Sequence, residues 1–230
     1  MPDPMLDSMP DPGHHIVSGV LDATETEALL GALDALDLTR GRAGARHLMQ
    51  YAAVRDVASD PRLIEIAREF IGPSAMPYRA TLFDKSSARN WLIPWHQDTA
   101  LPLRERRDDV AGWGPWSIKS GIVYAHAPAS ALSRIIALRL HFDDSCHDNG
   151  PLRVLPGTHA HGVLTEAAID RFVRDVTPVD CLVARGGIIA MRPLLLHASS
   201  KAITDRPRRV LHIEYADSLD MPDGFQITLA

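Results

Sequence analysis

The sequence predicts an α+β fold, most simply a double-sheet β roll backed by N-terminal helices, and three observations predict it. Apolar residues at helical spacing are concentrated in the first third of the chain, whereas short apolar runs separated by Gly, Pro and Asn turns dominate the rest. The third observation is size. At 230 residues with a 46% hydrophobic share, the chain can fill one sizeable core, and β sandwiches and barrels of this length fold as single units.

Residues 1–13 carry four Pro and one Gly with few apolar groups and read as a disordered tail or arm, leaving residues 14–230 as one domain. An apolar run from Ile16 to Leu21 predicts a short strand. Thr24-Glu25-Thr26-Glu27 then matches a Ser/Thr-x-x-Glu capping box ahead of Leu29, Leu30, Leu33 and Leu36 at helical spacing. A second helical stretch covers 51–58. The third helix is marked by Asp60 as N-cap, Pro61 at its first position, apolar Leu63, Ile64, Ile66, Ala67 and Phe70, and the stop Gly72-Pro73.

After residue 75 the pattern changes to strands. The stretch 78–84 reads extended with Arg79, Thr81 and Phe83 on one face, and 91–95 follows it. Residues 99–119 read as a connection too long to be ordinary, rich in Arg and holding Gly112-Trp113-Gly114-Pro115-Trp116, which serves either as an ordered lid or as a surface flap. Further strands are expected at 121–125, 135–142, 152–155, 181–184, 188–191 and 209–215, with a short helix over 166–173. Asn149-Gly150-Pro151 and Arg185-Gly186-Gly187 supply turns.

Charge and composition exclude several roles. A net charge of −5 and a pI near 6.1 give no attraction to nucleic acid or to an anionic membrane. No run approaches the roughly 18 apolar residues of a membrane span, and the acidic, Pro-rich start is unlike a signal peptide. The expectation is a cytoplasmic protein, monomer or homodimer, acting on a small molecule. Cys146 and Cys181 lie far apart and outside any Cys-x-x-Cys spacing, so neither a disulfide framework nor a Cys-zinc site is expected.

The chemistry is concentrated in a split metal-ligand set. In Pro94-Trp95-His96-Gln97-Asp98, residues i and i+2 of an extended strand project from one face, so His96 and Asp98 reach one cation together while Gln97 points away. About a hundred residues later, the apolar segment from Ile188 ends in Leu194-Leu195-Leu196-His197. Two imidazoles and one carboxylate on one octahedral face leave three open positions, the arrangement with which non-haem Fe(II) oxygenases bind a co-substrate and O2. Downstream, Arg208 and Arg209 open the last strand, and an Arg at the barrel mouth suits a dicarboxylate through two parallel hydrogen bonds. Only one of the two can face inward. Ser199, two residues beyond His197, can add a hydrogen bond. His47, His126, His141, His147, His159, His161 and His212 lack partners at ligand spacing and read as ordinary polar residues.

On His96-Gln97-Asp98, on Asp148-Asn149-Gly150-Pro151-Leu152-Arg153-Val154-Leu155-Pro156-Gly157-Thr158-His159, on His197, and on Arg208 eleven residues after it, the chain resembles the phytanoyl-CoA dioxygenase-like family of Fe(II)/2-oxoglutarate dioxygenases. The likeness covers roughly 14–217. It implies a double-stranded β-helix (jelly-roll, cupin-like) core, with His96, Asp98 and His197 as catalytic iron ligands. Arg208 and Ser199 would hold the distal carboxylate of 2-oxoglutarate, with Arg209 the competitor. Arg139 falls where relatives often place a Trp beside 2-oxoglutarate, so it either reaches a carboxylate or closes an internal ion pair; Thr81 is a further cofactor candidate. Halogenating relatives have Gly or Ala in place of the carboxylate ligand, so Asp98 implies hydroxylation or a related oxidation.

The expected activity is Fe(II)- and 2-oxoglutarate-dependent oxidation of an unactivated C–H bond by O2, with succinate and CO2 as co-products. The other reading is a catalytically silent metal- or small-molecule-binding barrel of the same fold. An acidic chain lends little support to a CoA substrate, and Trp113, Trp116 and Arg104 in 99–119 are the expected substrate contacts, under a lid.

Overall fold

The computed structural model describes residues 11–41, 44–86 and 89–230. Its N-terminal third runs β1 (His14–Val17), α1 (Ala23–Asp34), β2 (Gly44–Ala45), α2 (Ala52–Ala58), α3 (Pro61–Ile71) and β3 (Met76–Lys85). The middle holds β4 (Ile93–His96), β5 (Ala100–Leu103), β6 (Trp116–Lys119), β7 (Ile122–His126), α4 (Ala129–Leu132) and β8 (Ile135–His141). The remainder is β9 (Leu152–Val154), α5 (Glu166–Asp175), β10 (Val179–Cys181), β11 (Ile188–Met191), β12 (His197–Ser199) and β13 (Arg208–Ala216).

Two antiparallel sheets face each other as a double-stranded β-helix: a six-stranded sheet in the order β1-β11-β8-β13-β3-β2, and a four-stranded sheet in the order β10-β9-β12-β4. Side-chain alternation decides what each face does. On β8, Ile136, Leu138 and Leu140 point outward into the core shared with the helices, where they meet Leu33, Val54 and Leu63. Ala137 points inward, into the apolar layer between the sheets with Val154, Ile189 and Leu195. Arg139 and His141 share the inward parity of Ala137. On β13, Leu211, Ile213 and Tyr215 face the helices, and the Tyr215 hydroxyl donates to the Ala58 carbonyl at 2.9 Å. Arg208, His212 and Glu214 alternate with them, buried on the inward side.

The helices form as the caps dictate. α3 starts at Asp60, whose carboxylate accepts from Arg62 N at 2.9 Å, and stops at Gly72, as expected. α1 corrects the sequence reading. Its N-cap is Asp22, not Thr24: Asp22 Oδ1 accepts from Glu25 N at 2.8 Å, and Glu25 accepts from Asp22 N at 2.9 Å. A carboxylate satisfies the first-turn N–H groups at least as well as a threonine hydroxyl, and this register lets Thr26, Leu30 and Leu33 be buried.

The segment 99–119 is the largest departure. It is not an irregular connection: β5 and β6 both pair with β7 in a third, three-stranded sheet. Pro102 is tolerated because β5 is an edge of that sheet. Beyond this edge, Thr228 N donates to Pro102 O at 3.1 Å. Together with the C-terminal segment the sheet encloses a second core around Leu101, Leu103, Ala125, Phe225 and Ile227. Two smaller shifts accompany it. The strand expected over 181–184 is β10, two residues earlier, and His197 does not merely end an apolar run but opens its own strand, β12.

Residues 1–10 of the expected tail lie outside the described residues. Its last residues are tied down: Gly157 N donates to Pro12 O at 3.0 Å and Arg192 N to Gly13 O at 2.9 Å. Among the described residues no helix is long and apolar enough to cross a membrane.

Candidate active site

Register brings the split ligand set together. β12 lies between β9 and β4, and its antiparallel pairing with β4 sets His197 directly opposite His96. The chain leaves β4 at His96, and Asp98 is fixed by its N–H donating to Pro193 O at 2.9 Å. Ligand atoms of His96, Asp98 and His197 all lie within 4.8 Å of one another. Nε2 of His197 is 3.4 Å from Asp98 Oδ2, and Nε2 of His96 is 3.7 Å from Oδ1.

Backbone carbonyls aim both rings. Nδ1 of His96 lies 2.8 Å from Pro94 O, and Nδ1 of His197 lies 2.8 Å from Leu195 O. A carbonyl only accepts, so each Nδ1 carries its proton and each Nε2 turns a lone pair toward Asp98. Burial, then His197, lowers the pKa of His96 and keeps it neutral at pH 7. Burial opposes ionisation of Asp98, whereas positive charge facing it, as on His197 and His96 when these rings are protonated, holds its carboxyl well below the usual range. Three acceptors thus converge on one point, which is the donor set of a divalent metal site.

Gln97, between the two ligands, points the other way. Its amide donates to Leu194 O at 2.7 Å and to Gly162 O at 2.9 Å, and it accepts from Leu164 N at 2.8 Å. It thereby ties the His96–Asp98 turn to the chain entering β12. Thr158 pins the same chain: its hydroxyl donates to Leu155 O at 2.8 Å and accepts from Leu196 N at 3.0 Å. Asn149 accepts from Cys146 N at 2.8 Å and closes the turn that exposes the Gly150 carbonyl. The long shared motif is therefore scaffolding for His197 and Ser199.

Behind the triad is a narrow cavity of about 90 Å³, lined by Phe83, Trp91, Arg139, Leu152, Ser199 and Arg208 among others. Ser199 Oγ donates to Gly150 O at 2.9 Å and accepts from Arg208 Nη2 at 3.2 Å. Arg209 faces the opposite way, its Nη2 2.7 Å from Asp143 Oδ1. Strand parity therefore turns Arg208 inward and Arg209 outward. Arg139 finds no carboxylate within ion-pair distance among the described residues; its Nη1 lies 3.2 Å from Nδ1 of His212, so the internal ion pair does not form. Thr81 lies instead on the next cavity, beside Asp98.

One residue beside this cavity, joined to it through Ser199, escaped the sequence reading. Lys85 is 1% exposed; its Nζ donates to Ser199 Oγ at 2.8 Å and to Ser200 O at 2.5 Å. It shares the inward parity of Arg79, Thr81 and Phe83 at the end of β3, and that period was the available signal. Burial, then Arg208 and Arg139, pull Lys85 down to about 7. Burial, then Arg139, pull Arg208 down to about 9. Nε of Arg139 and Nε and Nη1 of Arg208 are buried without hydrogen-bond partners. Buried donors left unpaired are costly, so three cations here form a seat for an anion. His141, fully buried beside Arg208 and Arg139, is held well below the usual imidazole range by burial and by both guanidinium groups, and stays neutral.

Trp113, Trp116 and Arg104 lie elsewhere. Trp113 is 7% exposed, stacks 4.3 Å from Phe225 and donates from Nε1 to Asp223 Oδ2 at 2.9 Å. Trp116 lies 5.8 Å from the same ring, and Arg104 Nη1 donates to Gln226 Oε1 at 2.9 Å. The C-terminal segment offers both indoles an aromatic face and Trp113 the acceptor its N–H needs. These residues hold the third sheet in place and line neither cavity beside the triad.

Comparison with known proteins adds the family. The profile of the phytanoyl-CoA dioxygenase (PhyH) family matches residues 11–210. The chain belongs to that family. Membership places it among oxygenases, and the fold agrees. Its structure is similar to that of EctD from S. alaskensis in its apoform, with a TM-score of 0.68 at 18% identity over 96% of this chain and 79% of that one. HygX from Streptomyces hygroscopicus, solved with nickel and 2-oxoglutarate bound, gives 0.64 at 16% identity over 90% and 83%. AviO1 from Streptomyces viridochromogenes Tue57 gives 0.64 at 21% over 95% and 94%. No curated protein matches the sequence.

Proposed function

We propose that this PhyH-family chain is an Fe(II)- and 2-oxoglutarate-dependent oxygenase that hydroxylates a C–H bond of a small organic molecule. The observation that carries the reading is the adjacency of two complementary sites: a three-acceptor triad, and behind it a cavity lined by two guanidinium groups with unpartnered nitrogens and backed by Lys85 through Ser199. A divalent metal satisfies the first and a dicarboxylate the second. When bound, Fe(II) and 2-oxoglutarate supply the oxidation, in which O2 is consumed, the co-substrate leaves as succinate and CO2, and one oxygen atom enters the substrate C–H bond.

The residues divide the work. His96, Asp98 and His197 hold the metal from one side and leave the opposite side free. His197 is buried whereas His96 and Asp98 are half-buried, so access is from their side. Arg208, Ser199 and Lys85 grip the distal carboxylate, and their mutual repulsion in the free chain is discharged when it arrives. Arg139, which interacts with Asp98 as well as with Arg208, faces the metal end of the same molecule. Phe83, Trp91 and Leu152 line this cavity and exclude water. Asp98 supplies the carboxylate that halogenating relatives lack, which supports hydroxylation or a related oxidation rather than halogenation.

The test combines binding with turnover. Anaerobic Fe(II) plus 2-oxoglutarate should produce a weak visible charge-transfer band, and in air the mixture should release succinate when a substrate found by screening small metabolites is added. His96→Ala and Asp98→Ala should remove both signals. Succinate release that survives both substitutions sinks the assignment, and binding without any succinate points to a silent barrel.

A further inference from the structure

On the open side of Asp98 lies a second cavity, of about 230 Å³, whose wall includes Arg46, Arg79, Thr81, Lys119 and Tyr124. It shares Arg46, Thr81 and Phe83 with a larger cavity of about 620 Å³ that is lined in addition by His47, Trp91, Leu92 and Ile93. The two adjoin at these shared residues: a polar cavity at Asp98, and a wider one with Trp91, Leu92 and Ile93 on its wall.

The charges of the polar cavity do not balance. Arg79 is neutralised by Glu214, with which it forms a buried ion pair. Asp98 belongs to the metal. Arg46 and Lys119 remain, and among the described residues neither has a carboxylate within 4 Å. Lys119 Nζ lies 4.6 Å from the centre of the Tyr124 ring, whose hydroxyl is 2.9 Å from Nε2 of His47. Half-buried Lys119 is depressed by burial and by Arg46 and Arg79, with Asp98 the lone carboxylate acting the other way. Lys119 is partly desolvated and Arg46 is exposed at the rim, so the two cations line one cavity with no carboxylate of their own, and an anion entering it gains from both.

Resting on the oxygenase reading, we infer that the substrate carries an anionic head, a carboxylate or a phosphate, seated between Arg46 and Lys119, with a less polar body extending along Trp91, Leu92 and Ile93. The anion is not 2-oxoglutarate, for which the other side of Asp98 holds Arg208, Ser199, Lys85 and Arg139. The head therefore sits beside the metal ligand Asp98, and charge selects substrates at the point of reaction.

The test uses the full chain loaded with Ni(II) and 2-oxoglutarate, titrated calorimetrically with benzoate, with phenyl phosphate, and with neutral benzamide. Both anions or one of them should bind, the tighter identifying the head group, while benzamide does not saturate. Arg46→Leu with Lys119→Met should weaken the anion about tenfold or more. Arg106→Leu, the loss of one cation on a loop away from the cavity, should not. The affinity for 2-oxoglutarate should be unchanged in all variants. Equal binding of benzamide, wild-type anion affinity in the double variant, or a parallel fall in 2-oxoglutarate affinity each overturns the inference. If Ni(II) and 2-oxoglutarate fail to bind the wild type, the oxygenase reading fails; the same titrations on the metal-free chain then decide whether Arg46 and Lys119 form an anion seat by themselves.

Discussion

Lys85→Met tests the anion seat behind the triad, because it deletes one buried cation and keeps the volume. In the free chain Lys85 sits at about 7. A carboxylate arriving beside its ammonium favours the charged form and raises that value. Below pH 7 the amine is charged before and after binding, so affinity is flat. Above it, binding must take up a proton, and affinity for 2-oxoglutarate falls by up to tenfold per pH unit until the bound-state value is reached. Between pH 6.5 and 8.5 the wild type should therefore lose about twentyfold in affinity. Hydrogen bonds to charged groups contribute about 1.5–3 kcal/mol, so Lys85→Met should bind roughly 10- to 150-fold more weakly at pH 6.5, with little pH dependence beyond.

Calorimetric titration of Ni(II)-loaded protein, repeated in buffers of different ionisation enthalpy, counts the protons directly. The wild type should take up nearly one at pH 8.5, and the variant none. In the cofactor-free chain the same amine makes stability depend on pH. The folded value lies below that of an unfolded lysine, so between them the unfolded chain binds more protons and stability rises with pH; Lys85→Met should abolish that rise. A variant with wild-type affinity, slope and proton uptake would refute the placement of Lys85 at the co-substrate.

Three further outcomes follow from the same geometry. Arg208→Leu should weaken 2-oxoglutarate by about 2–5 kcal/mol in a calorimetric titration, because it breaks a buried charge contact; Arg209→Leu should leave affinity intact and cost about 0–1 kcal/mol of stability from its pair with Asp143. Gly150→Ala should destabilise by at least about 1–3 kcal/mol in urea unfolding, since φ is +69° and the new Cβ would meet Ser200 O at 2.4 Å. Trp113→Ala should cost about 3–5 kcal/mol of stability by emptying the second core while leaving the 2-oxoglutarate affinity of the folded fraction unchanged; a selective loss of binding would return Trp113 to the site.

Legibility followed the range of the interactions. The α3 helix was readable because Asp60, Pro61 and Gly72 act on their own neighbours, and β8 and β13 because each is an apolar-rich, strand-favouring run within one short stretch of chain. His96 and Asp98 share a strand end, so their common face was visible as well. The 99–119 segment was misread because β5 and β6 are stabilised by pairing with β7 and by Phe225, neither of which leaves a local mark among Arg, Gly and Pro. The same distance effect hid the N-cap shift least and the fate of the two Trp most.

By itself, the sequence determined the order of helices and strands, the His-x-Asp pair with a distant His, and the fact that only one of Arg208 and Arg209 could face inward. Tertiary structure alone decided which of the two it was, by placing Asp143 outside to take Arg209. It also decided that His197 stands opposite His96, that Lys85 joins Ser199, and that Trp113 and Trp116 leave the site for the C-terminal segment. The physical reason is that strand register and charge balance are properties of pairs of segments, and the chain declares them only once it has folded.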